Sequence, residues 1–281
     1  MPYETIEVKP ATAAIGAEVS GIDLGKPLGN QQFQEVHDAL MAHQVLFFRD
    51  QKLTLDQHKA FGRLFGELHI HPNTPGPEGH PEILPIHADA NSKRINGERW
   101  HSDVSCDPEP PMGSILNLKI VPPVGGDTIF ASMYAAYDAL SDGLKHTLEG
   151  MRAVHSSRHV FGADRHKPGN DLQGRVGNPE LATQDAVHPV VIRHPGSGRK
   201  ALYVNPGFTL RFEGWTDEES RPLLDFLYRH AVRPEFCCRF QWAEGSVALW
   251  DNRATWHYAV NDYHGERRLM HRVTIGGTKL G

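Results

Sequence analysis

The sequence predicts a mainly β fold with α-helical decoration, in the form of a sandwich, a jelly roll or a barrel. Short apolar runs separated by turn residues dominate the second half of the chain, and this spacing is typical of such folds. A length of 281 residues with 39% hydrophobic residues is ordinary for a globular β-rich chain whose core needs no disulfide support. The runs that we predict to be strands are 114–121, 128–131, 187–193, 201–205, 237–242, 246–250, 256–260 and 271–275.

The first part of the chain mixes strands with helices. Residues 6–23 alternate loosely between apolar and polar side chains, which predicts one or two short strands. Apolar residues recur at helical spacing over 31–43, and the apolar run within 45–50 predicts a buried strand. A capping box, in which a threonine is followed three positions later by a glutamine, opens a predicted helix over 54–65.

Two helices and two loops are predicted further along. The helices cover 133–149 and 216–232, and Pro222 inside the second predicts a kink or a later start. Residues 72–81 are rich in proline and glycine and predict a loop. The segment 161–186 is polar and rich in glycine and asparagine, and it is too long for a routine connection. We therefore predict a mobile lid over an active site there.

Composition excludes several classes of protein. The formal net charge of −5 argues against a nucleic-acid partner, which would require a basic surface. No apolar run approaches the length of a membrane span, and the first residues lack the basic-then-apolar pattern of a secretion signal. Three cysteines, two of them adjacent, do not make a disulfide framework. We therefore expect a cytoplasmic protein that acts on a small molecule.

One small set of residues carries the chemistry. His101 and Asp103 stand two positions apart, so on a strand both side chains would point toward one metal ion. His257, from a distant strand, would complete a set of two histidines and one carboxylate, which binds Fe(II) and leaves positions open for oxygen and a chelating substrate. Arg268, eleven residues later, could pair with the carboxylate of an organic-acid cosubstrate. A zinc site, or histidines that are only buried and hydrogen-bonded, is the alternative.

These motifs resemble the taurine dioxygenase family of iron(II)- and 2-oxoglutarate-dependent oxygenases over essentially the whole chain. The H-x-D motif alone is weak evidence for this family, but H-x-D followed by W-D-N-R-x-T-x-H and R-x-x-x-R is specific to it. The resemblance implies a double-stranded β-helix (jelly roll) core in a single catalytic dioxygenase domain over 1–281, and a homo-oligomer, either a dimer or a tetramer. The matching blocks are GELHIHP (66–72), WHSDVS (100–105), GGDT (125–128), ALYVNPGFT (201–209), WDNRATWHYA (250–259) and RRLMHRVTI (267–275).

The resemblance also implies roles for the charged residues. Arg268 would pair with the distal carboxylate of 2-oxoglutarate, with support from the hydroxyl of Thr128. Its planar fork stays charged, so lysine would be a poor replacement. Arg272 and His71 would hold the acidic group of the prime substrate. The alternatives are a surface ion pair for Arg268 and a supporting place in the cavity wall for Arg272.

Several further positions are candidates for the lining of the substrate cavity. Val104, Phe161 and Phe208 match residues that line the substrate cavity in that family, although aromatic side chains more often belong to the plain core. The second H-x-H, at 69–71, could suggest another metal site, but the resemblance makes its last histidine a hydrogen-bond donor to substrate. Cys106 has no ligand role in the family, so we expect it to line the cavity or belong to the core.

Two departures from the family pattern bear on the substrate. Where the taurine-specific enzymes carry a tyrosine and an asparagine around the substrate amine, this chain has Thr74 and Gly97. A buried ammonium without partners is costly, so taurine itself is a doubtful substrate. The retained acid-binding residues predict a small anion with a different tail, such as another sulfonate, an alkyl sulfate, or an aryloxy or other carboxylate.

The expected reaction uses Fe(II), 2-oxoglutarate and O₂ to hydroxylate such an anion. Cleavage of a C–S or C–O bond would then give an aldehyde or ketone, with succinate and CO₂ as coproducts. Hydroxylation of another substrate class without cleavage stays open, while halogenation is disfavoured because Asp103 takes the place that a halide would need. A zinc-dependent hydrolase and a non-catalytic binding jelly roll are the rivals outside the class.

Overall fold

The computed structural model describes residues 3–71, 74–92, 95, 97–161 and 183–281. Most of the regular structure in these ranges is β, as predicted. The strands are β1 (Glu7–Pro10), β2 (Ala17–Ser20), β3 (Val45–Phe48), β4 (Ile83–Ala88), β5 (Gly113–Ile120), β6 (Thr128–Ser132), β7 (Arg152–Ser156), β8 (Asp185–Pro189), β9 (Val191–Arg193), β10 (Lys200–Leu202), β11 (Thr209–Phe212), β12 (Cys237–Phe240), β13 (Val247–Asp251), β14 (Thr255–Ala259) and β15 (Arg268–Ile275). The helices are α1 (Asn30–His43), α2 (Leu55–Arg63), α3 (Met133–Asp138), α4 (Asp142–Glu149), α5 (Arg158–Phe161) and α6 (Asp217–Ala231), with a 3₁₀ turn at Pro234–Phe236.

The strands form a large sheet and a smaller one that face each other. The large sheet has the order β1-β2-β3-β13-β5-β15-β4, and β12-β6-β14 forms the smaller one. All neighbours are antiparallel except β2 and β3, which run parallel. Two further sheets, β11-β7-β8 and β10-β9, flank them. Two facing antiparallel sheets that cover one core are the arrangement of a jelly roll, which confirms the predicted architecture.

The alternation of side chains along β13 shows how the core is divided. Val247 and Leu249 point to the outer face of the large sheet and pack among apolar residues of α1 and α2. Ala248 and Trp250 point to the inner face and pack between the two sheets. Phe130 on β6 meets Trp250 there, with ring centroids 5.6 Å apart. The candidate site opens from this inner layer. No helix in the described part of the chain is long and apolar enough to cross a membrane.

Two helix predictions need correction. The helix predicted over 133–149 is two helices, because the side chain of Ser141 accepts a hydrogen bond from the backbone of Leu144 and so begins α4. The second helix begins at Asp217 and not after Pro222, so the later start is wrong. Pro222 is exposed within it, so the carbonyl that loses its partner can face water. Residues 162–182 of the predicted lid lie outside the described residues.

Candidate active site

Three donor side chains converge where the two sheets meet. His101 and His257 face each other across an isolated β-bridge, in which each backbone N–H donates to the other residue's carbonyl at 3.2 and 2.8 Å. Asp103 follows in a turn, and its Oδ1 lies 3.8 Å from Nε2 of each histidine. One ligand atom from each residue lies within 4.8 Å of the others, and among the described residues this is the sole such group of three. We call these residues the triad.

The predicted reason for this convergence was wrong, although the convergence itself is observed. His101 and Asp103 were expected on one strand, but only His101 makes a β-bridge, and the chain turns from Asp103 onward. Val104 has a φ of 44°, which is unusual for a β-branched residue. The turn, and not the alternation of a strand, therefore directs the carboxylate toward the two imidazoles.

The protonation states of the triad suit a divalent metal. Nδ1 of His101 donates to the carbonyl of Arg99 at 2.7 Å, which leaves the lone pair of Nε2 available. Burial, with the nearby His101, lowers the pKa of His257 well below its ordinary value, so this ring is neutral. Burial disfavours the charged form of Asp103, but the charge of Arg272 and the hydrogen bond from Ser114 act against it, and the pKa of this carboxyl is held low. Neutral imidazoles and an ionised carboxylate are the states in which these side chains bind metals.

A layer of hydrogen bonds holds the turn that carries Asp103. Ser114 on β5 donates to Asp103 Oδ2 at 2.8 Å, which leaves Oδ1 toward the histidines. Ser102 donates to the backbone carbonyl of Asn252 at 2.6 Å, and the side chain of Asn252 accepts from Trp250 at 2.8 Å. Asn252 therefore supports the turn that carries Asp103.

A buried arginine and a threonine hydroxyl line the same cavity as the triad. Arg268 is 5% exposed, donates from Nη2 to the carbonyl of Gly126 at 2.9 Å, and has an Nε without a hydrogen-bond partner. No described carboxylate forms a salt bridge with it, so the predicted alternative of a surface ion pair is wrong. Thr128 is also buried and lines the same cavity. A buried guanidinium with an unused donor fits an anionic ligand such as a carboxylate.

A second arginine contacts the triad directly. Arg272 donates to Asp103 Oδ1 at 2.7 Å, and its Nε is buried without a partner. His71 lines the same cavity as Arg272. Its pKa is lowered to about 4, mainly by burial and then by the charge of Arg272. His71 is therefore a neutral hydrogen-bonding group near neutral pH, while Arg272 supplies the positive charge.

These groups enclose one cavity of about 150 Å³. It brings together the triad, both arginines and the predicted residues Thr74, Gly97, Val104 and Phe208. The side chain of Phe161 lies outside what the structure describes. Lining residues that the sequence reasoning missed are Leu84, Ile86, Glu98, Arg99, Leu116, Val160, Gly207, Trp250, Ala259 and Met270.

Of the missed residues, Met270 had a signal in the sequence. It lies between Arg268 and Arg272 at spacings of two, so all three share one face of β15. His69 and Cys106 are not in the described lining. Cys106 is fully buried, and burial raises the pKa of its thiol to about 12, so it belongs to the core.

The fold and the site together define a jelly roll with a candidate metal site and two arginines in its cavity, of which Arg268 is buried and Arg272 partly buried. A model of the taurine catabolism dioxygenase TauD, TfdA family matches residues 7–274, and the chain belongs to this family. It is therefore an α-ketoglutarate-dependent dioxygenase, whose chemistry requires 2-oxoglutarate, O₂ and a metal.

Similar proteins cover the chain almost completely. An alkylsulfatase of Acinetobacter baylyi is 37% identical over 98% of this chain and 86% of its own. An α-ketoglutarate-dependent sulfate ester dioxygenase of Pseudomonas putida is 36% identical over 97% and 90%. The crystal structure of a taurine dioxygenase from Burkholderia xenovorans superposes with a TM-score of 0.82, with 37% identity, over 98% of this chain and 90% of that one.

Proposed function

We propose that this dioxygenase hydroxylates a small organic anion, with an alkyl sulfate or a sulfonate as the preferred class and an aryloxy or other carboxylate as a further one. The observation that carries the proposal is Arg272. Its guanidinium lies in the cavity next to the triad, and its buried Nε has no partner among the described residues. A buried donor of this kind is stabilised by an anion, and the neutral His71 adds a second hydrogen bond.

The triad would hold Fe(II), because two neutral imidazoles and a carboxylate leave several coordination positions for other ligands. When bound, Fe(II) with 2-oxoglutarate supplies the activation of O₂ that protein side chains cannot perform. Arg268 and Thr128 would hold the distal carboxylate of 2-oxoglutarate. Val104, Phe161 and Phe208 would surround the carbon chain of the substrate and keep water away from it.

Two lining residues support a substrate tail other than aminoethyl. Thr74 is short, and Gly97 offers no side chain, so neither replaces the tyrosine and asparagine that surround the amine in the taurine-specific enzymes. The names of two relatives, an alkylsulfatase and a sulfate ester dioxygenase, agree with a sulfate ester as substrate.

Hydroxylation at the carbon next to a sulfate or sulfonate would cleave a C–O or C–S bond and release an aldehyde or ketone. The protein would determine which carbon reacts by anchoring the acid group at Arg272 and His71. Hydroxylation without cleavage is the second candidate, and it applies if the reactive carbon carries no such group. A zinc hydrolase would have no use for the Arg268 and Thr128 pair or for oxygen.

Three further proposals concern the whole protein. We propose one catalytic domain over 1–281 with a lid at 161–186, a cytoplasmic location, and assembly as a homo-oligomer. The three free cysteines agree with a reducing compartment. Light scattering during size-exclusion chromatography measures the assembly, and limited proteolysis of the protein with and without 2-oxoglutarate measures whether the lid becomes protected.

The test of the proposed function is succinate release that depends on oxygen, iron and 2-oxoglutarate. Taurine, longer sulfonates, alkyl sulfates and aryloxy acids would be compared, with the Asp103→Ala variant as the inactive control. We expect strong stimulation by one acid class, weak stimulation by taurine, and no turnover in the variant.

The outcomes separate the parts of the proposal. Turnover of taurine as efficient as that of any longer sulfonate would contradict the argument from Thr74 and Gly97. If no acid stimulates turnover while 2-oxoglutarate still binds, the role of Arg272 is wrong. Turnover without oxygen, with zinc in place of iron, would support the hydrolase instead.

A further inference from the structure

A buried tryptophan outside the cavity contacts one of the residues that line it. Trp242 follows β12, and its indole Nε1 donates to the hydroxyl oxygen of Thr128 at 2.9 Å. Trp242 is 8% exposed and Thr128 is 4% exposed, so water does not compete for this bond. Thr128 lines the cavity beside Arg268, whereas Trp242 is not among the described lining residues.

The direction of this bond restricts the hydroxyl of Thr128. An indole N–H can only donate, so the oxygen of Thr128 must accept, and its own proton is directed elsewhere. No described residue accepts that proton. The backbone of Thr128 is paired on both sides, opposite Phe240 and Ala259. The cavity is therefore where the hydroxyl can find an acceptor.

We propose that Trp242 is a positioning residue for the cosubstrate, because it fixes the Thr128 hydroxyl as a donor to the distal carboxylate of 2-oxoglutarate. This inference rests on the proposed function, in which Arg268 and Thr128 bind that carboxylate. Without the indole N–H, the hydroxyl could rotate and present a lone pair to the carboxylate, and two oxygens without a proton between them repel each other.

The surroundings of Trp242 hold the indole in place. Its ring packs edge to face on Phe240 at a centroid distance of 4.9 Å, and Phe240 stacks on Phe47 at 4.1 Å. The guanidinium of Arg49 covers Phe240 at 4.2 Å. An indole fixed by packing in this way donates in one direction, which is what a positioning role requires.

A purely structural role is the alternative. A buried indole N–H needs some acceptor, and Thr128 would provide it with no effect on ligand binding. The two roles differ in one measurable respect: positioning affects only ligands that carry a distal carboxylate. Oxalate lacks that carboxylate and still chelates a metal, so it serves as the reference ligand.

The experiment titrates 2-oxoglutarate and, separately, oxalate into anaerobic, Mn(II)-loaded protein and measures Kd by calorimetry. The proteins are wild type, Trp242→Phe, Thr128→Val and the double variant, with Trp215→Phe as the matched control, since Trp215 is 40% exposed and packs on Phe212 outside the described cavity lining. We expect the Kd for 2-oxoglutarate to rise about tenfold or more in Thr128→Val and about three- to tenfold in Trp242→Phe. The double variant should be no weaker than Thr128→Val alone, because the two residues act through one bond.

Three results would overturn the inference while leaving the proposed function intact: an unchanged Kd in Trp242→Phe, additive effects in the double variant, or an equal loss for oxalate. The last would show a general disturbance of the site. Failure of wild-type protein to bind 2-oxoglutarate at all would instead overturn the proposed function. Melting temperatures of all five proteins show whether each variant is folded.

Discussion

A single added methyl group should disturb His101, one of the three proposed metal ligands. Gly207 lies against this residue, and a Cβ placed on Gly207 would be 2.8 Å from the Cβ of His101. Carbon atoms in contact lie about 3.5–4.0 Å apart, so the Gly207→Ala variant must separate the two residues by roughly 0.7 Å or more. The backbone of His101 is fixed by its two hydrogen bonds with His257, so the strain moves the imidazole or the loop at Gly207.

The expected loss of metal affinity follows from how small a ligand displacement a metal site tolerates. A ligand displaced by more than about 0.5 Å no longer has productive geometry, and disturbed ligand orientation typically lowers metal affinity by about 10- to 100-fold. Overpacking should in addition lower the free energy of unfolding by about 1–3 kcal/mol. Titration with Co(II), followed by its visible absorption, measures the affinity, and urea unfolding of the metal-free protein measures the stability.

A matched glycine provides the control. Gly143 lies in α4, and a methyl group added there would have no atom within 4 Å, so Gly143→Ala should stabilise the helix by up to about 1 kcal/mol and leave metal binding unchanged. If Gly207→Ala binds Co(II) as tightly as wild type and unfolds at the same urea concentration, the close approach between Gly207 and His101 does not constrain the site and the reasoning fails.

Three other substitutions test separate parts of the structure. Arg268→Lys should raise the Kd for 2-oxoglutarate about tenfold or more, since a point charge replaces a planar fork, and an unchanged Kd in anaerobic calorimetry would refute that role. Burial, the larger cause, lowers the pKa of His58 to about 3, below its ordinary 6.5. The unfolded chain therefore binds more protons, and His58 alone should lower stability by up to about 1.4 kcal/mol per pH unit as the pH drops from about 6.5 toward 3. The urea midpoint should depend less steeply on pH in His58→Gln than in wild type, and an unchanged slope would contradict this role of His58. Gly97 has a φ of 87°, so Gly97→Ala strains the backbone and also places a methyl 3.4 Å from His101 and 3.5 Å from Ala259. We expect kcat/KM to fall for every substrate and to fall further for long alkyl sulfates than for short ones, and an equal fall for both would contradict the lining role of Gly97.

Local signals predicted most elements of the fold. The capping box predicted at Thr54 is present, and Thr216 forms another with Glu219, because a capping residue and its partner three positions later interact whatever the rest of the chain does. Ser141 gave the same kind of signal in the sequence, and attention to it would have divided the helix predicted over 133–149. Strand pairing and sheet order depend on contacts distant in the chain, so they could not be derived from local patterns.

The types and order of the residues in the sequence predicted the candidate site, but they did not predict its geometry. The presence of two histidines and a carboxylate indicated a metal, but the turn at Val104 replaces the strand on which the spacing argument relied. The bond from Trp242 to Thr128 joins residues 114 positions apart, and the contact between Gly207 and His101 joins two loops. Neither has a signal in the sequence, because each arises only when the sheets pack.

The charges of the cavity restrict the net charge that a substrate can carry. Arg268 and Arg272 are both positive, Asp103 is negative, and Glu98 and Arg99 in the lining offset each other. A divalent metal makes the total charge strongly positive, and the two carboxylates of 2-oxoglutarate leave one positive charge in excess. Because an uncompensated buried charge is costly, a substrate with a single negative charge completes the balance, while a dianion would exceed it. A monoester of sulfate or a sulfonate carries one charge near neutral pH. We therefore expect an alkyl sulfate to be turned over far better than the alkyl phosphate of equal length, which carries nearly two charges, and equal turnover of both would show that Arg272 does not balance the substrate's charge.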